Sequence, residues 1–363
     1  MDRRNFIATA GLGAVGSTLA APALAQSQPE VIWRLQSSYP KSLNTIYGAA
    51  DSFAKAVTEA TDGRFQIQVF AAGEIIPPLS IVDGVQRGTV EMGQTGSYFY
   101  IGQDPAFAFG TCIPFGPNAR QQNGWFYEGG GNDLFNEFCA TYDLIHFPGG
   151  NTGTQMGGWF RKEINSAEDL KGLKMRIGGL AGNVLQRLGL VPTPIAAGDI
   201  SPSLERGTID AAEFVGPQDD QNLGLSKIAP FYYFPGFWEG AASLSFFINL
   251  EKWKALPASY QSIVRTAAMA AGTEMTAKYD VQNPIALARL LSEGTQLRAF
   301  PQDVLQKSYA AAREVYAELG EKSPAFKKLL DHQMEYRDRT YQWWRISDYS
   351  YDTLMLRAAQ EQW

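Results

Sequence analysis

The sequence predicts an α/β protein built as two similar lobes, with long helices at its C-terminal end. Strand-like and helix-like segments alternate from residue 31 onward, the order expected of a parallel sheet with crossover helices. A short passage recurs: residues 85–93 read Val-Gln-Arg-Gly-Thr-Val-Glu-Met-Gly, and residues 204–212 read Leu-Glu-Arg-Gly-Thr-Ile-Asp-Ala-Ala. Residues 325–363 contain neither glycine nor proline, so nothing in them stops a helix.

The elements follow in order. Residues 1–25 predict an export signal: a basic start with Arg3 and Arg4, a short apolar Ala/Gly-rich run, and Ala23-Leu24-Ala25 as the cleavage site. The paired arginines followed by Phe6 resemble the twin-arginine export motif. Gly11-Leu12-Gly13-Ala14-Val15-Gly16 matches a dinucleotide fingerprint. It lies inside this leader and carries no weight without a strand before it. Val31–Leu35 reads as a strand. Residues 43–61 read as a helix, with Ile46, Ala49, Ala50, Phe53 and Val57 at helical spacing and Gly63 as its stop. Residues 65–70 alternate like a second strand.

Each copy of the recurring passage ends a helix on Arg-Gly and starts a strand with Thr, the glycine supplying a left-handed helix stop. The copies lie too far apart for a solenoid repeat and read as equivalent elements of two lobes. A further unit begins with Ser166 and Asp169 spaced as a capping box. It continues as a strand over 171–177, a glycine-rich turn, and a helix over 184–188. Residues 258–281 predict a long helix through Tyr260, Val264, Ala267 and Ala271. The tail, if one helix, would be about 58 Å long, with Ser347-Asp348 as a breaking point. Its aromatics, among them Tyr336, Tyr341, Trp343, Trp344, Tyr349 and Tyr351, pack either along its own lobes or against a second subunit.

Composition excludes several functions. Apolar residues at 45% and charged residues at 19% describe a globular chain. The net charge of −6 gives no basic footprint, so nucleic acid is not an expected partner. Two histidines and two cysteines rule out a zinc finger or a disulfide scaffold. Cys112 and Cys139 either pair or stay as two buried thiols. Beyond residue 25 no run of apolar residues is long enough to span a membrane. No G-x-S-x-G, H-E-x-x-H or Walker loop is present. Ser38-Tyr39-Pro40-Lys41 matches S-x-x-K only in a proline-containing loop. His146 between Ile145 and Phe147 reads as a core residue, and His332 as exposed or at an interface.

A cleft between two lobes is where a small ligand would sit. Arg176, at a strand end before a glycine-rich turn, is placed to hold a carboxylate through paired hydrogen bonds. Glu213 and Glu239 each stand among apolar neighbours, where a carboxylate is costly unless paired or metal-bound. With Gln155 and backbone carbonyls they would form an all-oxygen site for a hard cation. Alternatively each acid pairs with its own Lys or Arg, or the two act as acid and base of a secreted hydrolase. Tyr98 and Tyr100 would share a face if extended. Tyr232-Tyr233-Phe234 and Phe237-Trp238 divide between core and pocket.

Several stretches resemble the periplasmic solute receptors of TRAP transporters, the DctP-type family, and within it the 2-oxo acid receptors. They are residues 33–43 (WRLQSSYPKSL), 104–110 (DPAFAFG), 172–179 (GLKMRIGG), 205–211 (ERGTIDA) and 233–240 (YFPGFWEG), which together sample nearly the whole chain after the leader. The resemblance implies a type II-like, two-lobed periplasmic binding protein that closes on a small organic acid, performs no catalysis and delivers its ligand to TRAP transporter membrane subunits. It implies Arg176 as the carboxylate-binding arginine; Gln155 and, from the aromatic clusters, Tyr98, Tyr100 and Trp238 are expected as further substrate contacts. It also implies one metal cation, sodium or calcium, held by Gln155, Glu213, the Phe214 backbone carbonyl and Glu239. The related receptors carry Trp where this chain has Phe214, so the pocket wall differs there. The division that follows is lobe I over 26–150 with roughly 240–285, lobe II over 151–239 with roughly 286–324, and a helical segment over 325–363 that builds a homodimer.

Overall fold

The computed structural model describes residues 28–361, so the expected export signal lies outside the described residues. Two mixed sheets form the frame. The first contains β1 (Val31–Ser37), β2 (Phe65–Phe70), β3 (Met92–Thr95), β4 (Leu144–Asn151) and β10 (Ser243–Asn249) in the order β2-β1-β3-β10-β4. Strands β1, β2 and β3 run parallel, and β10 is antiparallel to both of its neighbours. The second contains β5 (Trp159–Phe160), β6 (Lys174–Arg176), β7 (Val191–Thr193), β8 (Ala211–Ala212), β9 (Phe231–Phe234) and β11 (Gln296–Ala299) in the order β11-β9-β5-β8-β6-β7. Here β6 is parallel to β7 and β8.

The recurring passage occupies equivalent places in the two sheets. Helices Ile81–Gln86 and Ile200–Glu205 end on Arg87 and Arg206, and Gly88 and Gly207 adopt φ of +70° and +71°. Thr89 N–H donates to Gly84 O at 2.8 Å, and Thr208 N–H to Ser203 O at 3.0 Å. Both are the long backbone bond that closes a helix through a left-handed residue. The strands therefore start later than expected, at Met92 and Ala211, because each threonine N–H is committed to the helix end. Strand β3 then pairs parallel with β1, and β8 parallel with β6.

Other boundaries moved for similar local reasons. The first long helix spans Gly48–Ala60 rather than 43–61. Leu43 and Tyr47 are buried, but the stretch after Pro40 forms successive turns, with Leu43 N–H on Pro40 O. The capping box at Ser166 and Asp169 is present. The helix after β6 starts at Gly179, before the expected 184, and ends at Gln186. Helix Ala258–Ser292 runs on past Pro284, its later turns anchored by buried Ala286 and Leu290. It packs on β4 and on helix Gly48–Ala60 from the first sheet, and on helix Pro217–Leu223 from the second, so it braces both lobes.

The tail is two helices, Pro324–Ile346 and Asp348–Glu361, broken at Ser347. Phe326, Leu329 and Gln333 are buried against the molecule's own first lobe. Further along, Trp343, Ile346, Tyr349, Tyr351 and Leu356 are exposed. Cys112 and Cys139 are free thiols. His146 is a core residue whose Nδ1 lies 3.0 Å from Asn132 Oδ1, and burial pushes its imidazole down to about 3. His332 is half-buried and its Nδ1 accepts from Trp125 Nε1 at 2.9 Å.

Candidate functional site

Register brings the first two residues together. Arg176 ends β6 opposite Ala212 of β8, so Glu213, next in the chain, lies beside it. Glu213 N–H donates to Arg176 O at 3.1 Å. In return Arg176 Nη1 donates to Glu213 Oε1 at 2.6 Å and to Glu213 O at 2.7 Å, and Nε donates to Ile195 O at 3.2 Å. Nη2 takes no protein partner among the described residues. The guanidinium stands 5.5 Å from the Phe214 ring centre. Glu213 Oε1 also accepts Gly178 N–H at 3.0 Å.

Gln155 and Glu239 come from the two loops that carry the chain between the sheets. Gln155 is in the loop after β4, not on a strand, and its N–H donates to Glu239 O at 3.0 Å. Its Nε2 donates to Thr152 Oγ1 at 3.2 Å. The relative exposures of Gln155, Arg176, Glu213 and Glu239 are 4%, 2%, 0% and 2%. Three of their oxygens, Gln155 Oε1, Glu213 Oε2 and Glu239 Oε2, have no hydrogen-bond partner among the described residues. Buried polar atoms are nearly always satisfied, so three exceptions on residues linked by the Gln155–Glu239 backbone bond and by the Glu213–Glu239 repulsion call for an explanation.

Charge balance sharpens the point. Glu213 pairs with Arg176, whereas Glu239 has no ion pair among the described residues. The expectation that each acid has its own cation therefore fails for Glu239. Burial pushes the Glu239 carboxyl well up, Glu213 pushes it further, and Arg176 opposes both. Burial also raises Glu213, with Arg176 pulling it down. With both acids ionised, two carboxylates would face one guanidinium in a buried site, and it is this charge that burial opposes by raising both carboxyls. A hard cation with oxygen ligands would neutralise it.

The aromatic expectations divide. Residues Ser97–Tyr100 form a 3₁₀ turn rather than extended chain, so Tyr98 and Tyr100 point apart. Tyr98 covers Gly178 and Gly179, and its hydroxyl is pushed well up by burial, with Glu239 and Glu213 adding to the effect. The hydroxyl of Tyr100 instead accepts Val82 N–H at 3.1 Å, and its ring packs on Phe107 in the first-lobe core. The structure thus separates Tyr100 from the group. Trp238 is buried with Phe237 and Phe300, and its Nε1 has no partner among the described residues.

Sequence reasoning missed Tyr39, Cys112, Asp219 and Asp220. Tyr39 is buried where Arg176 and Glu239 act on its hydroxyl. Cys112 has its thiol pushed well up by burial, then by Glu239 and Glu213. Asp220 accepts from Tyr232 OH at 2.7 Å, Trp159 Nε1 at 3.0 Å and Val215 N–H at 3.2 Å, bracing the strand exit that carries Glu213. Asp219 accepts from Tyr279 OH of the bracing helix. Burial pushes the Asp219 carboxyl up to about 7 and that of Asp220 up to about 6. The adjacent acids after Pro217 were the available sign.

Comparison with known proteins follows the same lines. A monocarboxylate 2-oxoacid-binding periplasmic protein of Nostoc sp. is 45% identical over 358 residues, 97% of this chain and 98% of that protein. A TRAP transporter solute-binding protein of Bordetella bronchiseptica, a mixed-occupancy dimer with copurified calcium and picolinate in one site, superposes with a TM-score of 0.91 at 44% identity, covering 92% of this chain and 100% of that one. A TRAP periplasmic solute-binding protein of Pseudoalteromonas atlantica with bound sodium and pyruvate gives 0.86 at 40% identity, covering 89% and 98%. These are binding proteins, and the hydrolase reading of Glu213 and Glu239 finds no support among them. The family model for bacterial extracellular solute-binding proteins, family 7 (DctP), matches residues 36–323, and with it this chain belongs to that family of non-catalytic solute receptors.

Proposed function

We propose that the chain is a periplasmic receptor that binds a small 2-oxo or 2-hydroxy carboxylate together with one sodium or calcium ion, between the two lobes, for TRAP transporter membrane subunits. The observation that carries this is the set of three buried, partnerless oxygens, Gln155 Oε1, Glu213 Oε2 and Glu239 Oε2, beside a guanidinium with Nη2 uncommitted. Those three oxygens and the Phe214 carbonyl would hold the cation, which offsets the carboxylate charge that would otherwise repel an anionic ligand. Arg176 Nη2 would take the ligand carboxylate, with the Tyr98 hydroxyl, the Trp238 indole N–H and the Gln155 amide as further contacts. Arg176 spends Nη1 on Glu213, so it orients the acid and meets the ligand at once.

The lobe division over 26–150 with 240–285, and 151–239 with 286–324, belongs to the same proposal. It is supported by the way the strands of each sheet fall within those ranges. So do export through the leader, and a homodimer built on the exposed apolar side chains of the tail. The test is calorimetric titration of pyruvate in calcium, in sodium, and after chelation and desalting. Binding that needs one of the two ions is expected. Equal heats without either ion would remove the cation, and silence toward every small 2-oxo and 2-hydroxy acid would remove the receptor reading.

A further inference from the structure

We propose that Gly178, Gly179 and Leu180 form the latch that holds the second lobe closed on the first, and that this contact sets how long ligand is retained. The inference rests on the ligand-binding reading above, since a latch matters only if something is enclosed.

The segment joins β6 to helix Gly179–Gln186 and follows Arg176 directly. Gly178 is extended, with φ −94° and ψ 164°, a conformation open to any residue. Space, not backbone geometry, demands glycine there. A Cβ on Gly178 would stand 2.5 Å from Tyr98 Cε2 and 3.1 Å from Cζ, and one on Gly179 3.1 Å from Tyr98 Cβ and Cγ. The two glycines thus meet both ends of one ring, so the ring cannot slide away from one without pressing on the other. Phe99 stands edge-on to it at 4.6 Å.

Leu180 completes the contact. Helix Gly179–Gln186 turns Ala181 and Leu185 toward the core of the second lobe and Val184 toward helix Gln302–Lys322. Leu180 goes the other way and is buried in the cluster that holds Tyr100, Phe107 and Phe109 of the first lobe. The same helix contacts the 3₁₀ turn Ser97–Tyr100. One segment therefore carries the anchor, Arg176, and a methyl-rich knob seated in the opposite lobe.

The site residues are buried, so ligand enters only when the covering surfaces part, and Tyr98 over Gly178 is one of them. In this scheme the contact is made in the closed arrangement and lost in the open one. It stabilises that arrangement without touching the ligand, and apparent affinity scales with the closed population. Gly178 N–H on Glu213 Oε1 ties the latch to a proposed cation ligand, so filling the site steadies the segment that closes it. Gly178 and Leu180 are positioning residues in this scheme.

The test uses the full chain in calcium with pyruvate as probe, comparing the native protein with Gly178→Ala and Leu180→Ala. Stopped-flow measurement gives entry and release rates, and small-angle scattering gives compaction on binding. Both variants are expected to release pyruvate roughly tenfold faster or more with entry little changed, to compact less at equal occupancy, and to gain less melting temperature from pyruvate than the native protein does. If Gly178→Ala fails to fold, Leu180→Ala, which only removes volume, decides alone. Native release rates and native compaction in the folded variants would overturn the latch. A native protein that neither binds nor compacts would instead overturn the ligand reading beneath it.

Discussion

The two copies of the Arg-Gly-Thr joint show how one scaffold serves two purposes. In the first lobe the joint leads to β3, whose polar side chains are all satisfied. Gln94 Nε2 donates to Ile46 O at 2.9 Å, Gln94 Oε1 accepts from Ser37 Oγ at 2.7 Å, and Thr95 Oγ1 lies 2.7 Å from Ser38 Oγ. In the second lobe the same joint leads through β8 to Glu213; among the described residues its Oε2 has no partner and its neighbour Glu239 is a buried acid without an ion pair. Backbone and helix cap are shared, and the side chains after the strand differ. A neutral network closed on itself builds a frame, whereas a charged cluster left open needs something from outside.

Removing one partner from each lobe tests that contrast most strongly. Arg176→Ala should abolish binding of pyruvate in calorimetry. It should also lower stability at neutral pH by about 3 kcal/mol in denaturant melts, because Glu213 would be left buried and unpaired. Survival of ligand affinity would break the contrast.

The next effect concerns pH. Asp219 ordinarily titrates near 3.8 and is pushed to about 7 in the fold by burial. The folded state thus holds a proton that the unfolded state has lost, and the Asp219 contribution to stability falls as pH rises from about 4 to about 7. Asp219→Asn should flatten that decline in thermal melts across this window. An unchanged slope would mean that Asp219 is charged at neutral pH.

Gln94→Ala should cost about 1–2 kcal/mol through the lost network and leave pyruvate affinity at the native value. A large loss of affinity would show that the first-lobe network is part of the site. The smallest effect on folding belongs to the tail. Trp343 is 64% exposed, so Trp343→Ala should change stability by less than about 0.5 kcal/mol. The same substitution should weaken self-association in analytical ultracentrifugation if the outer tail covers a second copy.

Much of this was legible beforehand. The alternation in residues 65–70 returned as Phe65 and Ile67 buried against exposed Gln66 and Gln68, because side-chain period follows backbone geometry. The helix stops at Gly88 and Gly207 and the break at Ser347 are local too. Tyr100 went wrong because alternation was assumed where a 3₁₀ turn forms. The late start of β3 and β8 went unseen because each threonine N–H serves the helix before it. Tyr39 and Cys112 carried no sign, since what places them is the approach of segments distant in sequence.

By itself the sequence determined the local vocabulary: where helices cap, which residues alternate, which acids stand among apolar neighbours and ask for compensation. Only the tertiary structure decided how they are compensated. Strand register set Arg176 against Glu213, two interlobe loops brought Gln155 and Glu239 to them, and lobe contact laid Tyr98 over the glycine turn. Helix caps and strand alternation depend on residues a few positions apart, so a linear reading reaches them. The energy of a buried charge depends on whatever lies within a few ångströms, and the chain path that brings those groups together is a property of the fold.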